Sequence, residues 1–173
     1  MTRFTAIILG IFITLISSFI YPTNALAMPS PSMAAIPLIK NIFAGTSPDN
    51  LGIHDGHLTN CPSSPNCVVS QGGDAEHAIA PIIYHQDLDT ARETLLKVLT
   101  VVPGTTIVEQ SDNYIRTESE SRILGFIDDA EFYFPVDRNV IEIRSASRLG
   151  ESDLGVNRRR LEQIRFALED LHV

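Results

Sequence analysis

Four β-type runs follow one another between residues 105 and 147, separated only by short turns, and this limits the fold more than any other feature of the chain. Residues 105–109 and 114–118 are joined by Gln110-Ser111-Asp112-Asn113, a turn composition. Residues 130–136 and 140–147 flank Asp137-Arg138. Parallel strands need a long crossover between them, so runs this close in sequence must pair antiparallel. A shorter apolar run at 79–84 supplies one more strand.

The last pair of runs also fixes its own register. Side chains alternate along a strand, so Phe132, Phe134, Ile141 and Ile143 share the buried face. A turn centred on Asp137-Arg138 sets Phe134 opposite Ile141, Phe132 opposite Ile143 and Glu131 opposite Arg144. Slipping that turn by one residue would oppose Glu131 to Glu142, and like charges directly opposite are destabilising. The other face then carries Glu131, Tyr133, Glu142, Arg144 and Arg148, a polar and concave surface.

Two helical patterns flank the strands. Leu88, Ala91, Leu95, Val98 and Leu99 recur at helical spacing, with Asp87 or Asp89 as cap and Pro103-Gly104 as stop. Leu161, Ile164, Leu168 and Leu171 form one stripe of a final helix over about 156–171. The order β-α-β-β-β-β-α predicts an α+β fold: a twisted antiparallel sheet of about five strands with both helices on one face.

The start of the chain reads as an export signal. Arg3 precedes an almost wholly apolar run over 6–20, Pro22 ends it, and Ala25-Leu26-Ala27 is a pattern that a signal peptidase accepts. Retention as a membrane anchor is the competing reading, because the run approaches spanning length. Residues 1–27 are thus read as signal, 28–50 as a Pro/Ser-rich linker and 51–173 as one α+β domain. The net charge of −8 argues against a general nucleic-acid binder, which must displace counterions with a basic surface. Membrane contact is expected only through the first segment, if it is retained.

In an exported chain Cys61 and Cys67 are expected to form a disulfide, stapling an otherwise irregular segment at 51–71. His54 and His57 lie nearby, and two His with two Cys make a tetrahedral zinc set. The spacing of the cysteines is wider than the usual metal knuckle, so no metal and no cofactor is assigned.

The segment 144–160 is the most unusual. It leaves a strand, crosses a loop with Gly150 and Gly155, and enters a helix whose first turns carry Arg158, Arg159 and Arg160. A helix N-terminus holds anions, and Ser152 or Asp153 is a natural cap. Three arginines there oppose the helix dipole and require compensation. One source is a bound anion or partner, contacted by Arg144, Ser147, Arg148, Ser152, Asp153, Asn157 and Arg158. The other is an internal ion-pair network with Asp128, Asp129 and Glu131. A third reading makes Asp129, Glu131 and Arg144 the machinery of an enzyme.

Leu58-Thr59-Asn60-Cys61-Pro62-Ser63-Ser64-Pro65-Asn66-Cys67-Val68-Val69-Ser70-Gln71 resembles the signature of the domain of unknown function 1499 family. The stretch from Gly125 to Phe132 and the Arg144 to Arg160 segment are similar to that family's later blocks. The resemblance covers about 51–171 and implies a bacterial, cyanobacterial or plastid protein of the periplasm or thylakoid lumen. It implies no activity, cofactor or catalytic residue. The leading expectation is a non-catalytic exported module that contacts a partner protein or a small anionic ligand; the alternatives are an enzyme and a purely structural accessory subunit.

Overall fold

The computed structural model describes residues 42–173, which all fall within one compact unit. The expected signal and most of the expected linker lie outside the described residues. In chain order the strands are β1 (Ile53–His54), β2 (His57–Leu58), β3 (Cys67–Val69), β4 (Ile82–Ile83), β5 (Thr105–Gln110), β6 (Tyr114–Glu120), β7 (Ile127–Tyr133) and β8 (Val140–Ser147). β1 and β2 form a small hairpin of their own. The main sheet runs β3-β8-β7-β6-β5, and β4 pairs with β8 beyond the end of β3. All these pairings are antiparallel.

Two helices complete the α+β fold. α1 (Leu88–Val101) starts where Asp87 accepts a hydrogen bond from Thr90 N, filling one of the donors a helix start leaves open. α2 (Val156–Asp170) starts differently from expectation. Gly155 takes the cap position with φ 75°, a left-handed backbone that glycine adopts without strain. Asp153 sits just before it and accepts from Gly155 N and Asn157 N. Both helices pack on the same face: Leu95, Leu99, Leu161, Ile164 and Leu168 meet Ile115, Phe132, Phe134, Ile141 and Ile143 in one core. Burial stabilises each such side chain by about 1.5–3 kcal/mol.

The β7–β8 register is the one the charge argument requires. Glu131 pairs with Arg144 and Phe132 with Ile143. The ladder ends at Tyr133–Glu142, one step short of the expected Phe134–Ile141 pair. Phe134 N donates to Asn113 O on the β6 side, and Ile141 pairs with Ile82 of β4 on the edge of β8 away from β7. Three further expectations change. The run at 79–84 contributes only Ile82–Ile83 as strand. The segment at 51–71 is more ordered than its composition suggests, because it supplies β1, β2 and β3. Leu171 is exposed, and Val173 joins the core in its place.

The polar face away from the helices is not open. Leu58 of β2, with Ile53 beside it, packs on Tyr114 and Tyr133 in a second small core. The disulfide between Cys61 and Cys67, with Cα atoms 5.6 Å apart, holds the covering segment in place. From Ile42 onward the stretch read as linker also touches the domain, with the Phe43 ring 5.0 Å from that of Phe126.

Candidate functional site: an arginine-lined cleft

Strand alternation divides the predicted site residues between two sides of the sheet. Asp129 and Glu131 of β7, Arg144 of β8 and Arg148 just beyond it project away from the helices. Asp128 and Ser147 project toward them. There Ser147 Oγ donates to Asp128, Arg160 Nη2 donates to Asp128 at 2.7 Å, and buried Asn157 bonds Ser147 Oγ and Asn66 O. Ser145, on the same side, donates to Asn157. This second group ties α2 to the sheet and to the stapled segment.

Arg158 joins neither group. Its guanidinium donates to Ala78 O at 2.7 Å and Glu76 O at 2.8 Å. Arg158 therefore does not contact one anion together with Arg144 and Arg148, as the sequence suggested: α2 covers one face of the sheet while Arg144 projects from the other. Ser152 and Asp153 serve the backbone of the loop entering α2, accepting from Leu154 N and from Gly155 N and Asn157 N. Arg159 donates to Leu154 O. Backbone carbonyls and Asp128 thus balance the arginines that oppose the helix dipole.

On the face away from the helices the charges form a dense network. Glu131 is fully buried and Arg144 is 5% exposed. Arg144 Nη1 donates to Glu131 Oε2 at 3.0 Å, while Gly52 N and the Tyr114 hydroxyl donate to Oε1 at 2.7 and 2.8 Å. Burial, and Glu131 beside it, push the Tyr114 phenol up, so it remains a donor. Arg148 Nε donates to Asp129 Oδ2 at 2.7 Å and its Nη2 to Asp129 Oδ1 at 2.9 Å, with Glu118 against Nη2 as well. The hydrogen bonds to Asp129 hold the Arg148 guanidinium charged more firmly than usual. Arg116 Nη1 reaches Asp129 Oδ1 at 3.1 Å. Tyr114, Arg116 and Glu118 were not singled out from the sequence. Their alternation in β6, with Ile115 turned into the core, was the signal available once β6 is placed beside β7.

Between this network and the stapled segment lies a cleft of about 360 Å³. Its walls include Asn50, Asn60, Pro62, Asp129, Arg144 and Arg148. Arg144 Nε is buried without a hydrogen-bond partner, and its Nη2 has none among the described residues. A buried donor left without a partner costs about 1–3 kcal/mol. Arg148 Nη1 is likewise free of described partners. The side chains of Asn50 and Asn60 make no hydrogen bond among the described residues; only the Asn50 carbonyl is used, by His54 and Thr59. The cleft therefore offers donors to an incoming oxygen acceptor. The carboxylates behind it, Asp129 and Glu131, are already occupied by arginine, tyrosine and backbone donors.

His54 and His57 face each other across the β1–β2 hairpin, and the disulfide takes both sulfurs out of any metal set. Among the described residues no group of His, Cys, Asp and Glu is arranged to hold a metal ion.

A family described as protein of unknown function (DUF1499) matches residues 57–168. Nothing among curated proteins and nothing among solved structures matches the chain.

Proposed function

The chain belongs to the DUF1499 family, whose function is unknown, and from that premise we propose a non-catalytic binding module, exported to the periplasm or thylakoid lumen, that holds a small ligand in the Arg144 cleft. The observation that carries this reading is the half-used guanidinium of Arg144: nearly buried, fixed by Glu131, and lacking an acceptor among the described residues on the edge it does not share with Glu131. A cleft of about 360 Å³ suits a small molecule better than the broad surface that a protein partner covers.

The enzyme reading of Asp129, Glu131 and Arg144 has less support. A general base needs a lone pair within reach of the substrate proton. Both Asp129 oxygens accept from arginines, and both Glu131 oxygens are taken, with no part of Glu131 exposed. Purification of the exported protein, followed by mass spectrometry of the small molecules released on denaturation, tests the proposal. A compound recovered from the wild type and lost from Asn60→Trp, which fills the mouth of the cleft, is the expected outcome. Equal recovery from both proteins would place the ligand elsewhere.

A further inference from the structure

We infer that the ligand of this cleft is a small organic acid bearing one carboxylate; the inference rests on the binding-module reading and specifies its chemistry. The first argument is donor geometry. Arg144 Nη2 and Arg148 Nη1 lack described partners, and both residues line the cleft. These are single nitrogens on two guanidiniums, and a carboxylate has an oxygen for each, whereas a lone carbonyl has only one.

Charge supplies the second argument. Arg116, Arg144 and Arg148 are paired with Glu109, Glu118, Asp129 and Glu131, three cations against four anions. An anion that reaches the free edges of the guanidiniums still feels Asp129 and Glu131 behind them. The network already carries one carboxylate more than it has arginines, so each added negative charge meets more repulsion, and a singly charged acid is favoured over a doubly charged phosphate. A cation would meet N–H donors rather than free carboxylate oxygens, so a metal or an amine is disfavoured.

Size and rim chemistry narrow the class further. A volume of about 360 Å³ admits a small molecule only. The side-chain amides of Asn50 and Asn60 make no hydrogen bond among the described residues, and each is able to donate and accept. They suit a hydroxyl, keto or amide group at the far end of the acid.

The test is calorimetric titration of the protein purified from the exported fraction, carrying whatever N-terminus export leaves. The probes are acetate, lactate and benzoate, with succinate, inorganic phosphate and sulfate as multiply charged comparators. At least one monocarboxylate should bind, and every dianion should bind at least about tenfold more weakly. Arg144→Lys keeps a charge for Glu131 but loses the flat fork, and should weaken the monocarboxylate about tenfold or more while the protein stays folded. Asn60→Leu, at an exposed rim position, should weaken lactate more than acetate. Phosphate or sulfate binding as tightly as the best monocarboxylate would overturn the assignment of class. No binding of any probe, together with a non-acidic compound recovered from the native protein, would refute the carboxylate and leave the binding module standing. No binding and no recovered compound would sink both.

Discussion

Glu131 and Arg144 stand directly opposite each other on β7 and β8, joined at 3.0 Å and both shut away from bulk water. Breaking a buried ion pair from one side leaves the other charge uncompensated, which costs about 3–5 kcal/mol. Arg144→Ala should therefore lower the unfolding free energy by about that amount in a urea titration. Tyr114→Phe, which removes a neutral donor from the same carboxylate, should lower it by about 1–2 kcal/mol. A loss below about 1 kcal/mol for Arg144→Ala would mean that water compensates Glu131 and that the face is more open than described.

Arg148 gives a second, independent prediction. Had it stood free in a cleft, its removal would leave stability unchanged. Instead its side chain is only 6% exposed and grips Asp129 with two nitrogens. Arg116 also serves Asp129, so Arg148→Ala should fall at the lower end of the buried-pair range, about 3 kcal/mol. Thermal unfolding of the variant beside Arg158→Ala separates the two arginines. Arg158 holds only backbone carbonyls at an exposed site, and its loss should matter far less.

These contrasts mark what the sequence made legible. The β7–β8 register follows from alternating Phe and Ile together with opposite charges at Glu131 and Arg144, all of them local in sequence. Both helices follow from apolar spacing. The cover over the polar face does not, because its anchor, Gly52 N to Glu131, joins residues 79 positions apart. β3 escaped because Cys67, Val68 and Val69 are too few for alternation to speak, inside a Pro- and Ser-rich stretch. The convergence of Arg158 with Arg144 was a misreading of layers. Residues on opposite sides of a sheet cannot meet, and α2 had already been assigned to the side away from Arg144.

His77 predicts a pH dependence. Its buried imidazole has Nδ1 2.8 Å from Asp74 Oδ1 and Nε2 3.2 Å from Ser64 O, two acceptors that together favour the doubly protonated ring. The hydrogen bond to Asp74 raises its pKa, and the hydrogen bonds from His77 lower that of Asp74. The histidine contribution is fully present below the ordinary imidazole value of about 6.5 and is lost as pH rises through the raised folded value. The aspartate contribution is present above about 4 and is lost as pH falls through the lowered folded value. Urea midpoints should therefore decline from mildly acidic to alkaline pH, and His77→Gln should flatten that decline. An unchanged slope in the variant would assign the pH dependence to other groups.

The disulfide closes a short loop, with a sequence separation of 6, and Cys61 also lies on the cleft wall. Chain-entropy reasoning gives it about 2 kcal/mol of stabilisation. Cys61→Ser with Cys67→Ser should lower the unfolding free energy by about that amount and should weaken ligand capture, because one wall of the recess is then less ordered. A double variant as stable as the wild type would indicate that β3 and the His77 contact hold the segment unaided.

The binding cleft is the central claim, and nitrogen-15 NMR of the arginine side chains tests it most directly. The Arg144 Nε–H group is buried without a partner among the described residues, so its resonance reports on any change at that guanidinium. Adding the compound recovered from the native protein should shift the Arg144 and Arg148 side-chain signals together with the amides of Asn50 and Asn60, and leave those of Leu149, Leu154 and Val156, around a separate apolar groove, in place. Shifts confined to that groove, with Arg144 unmoved at saturation, would contradict the account.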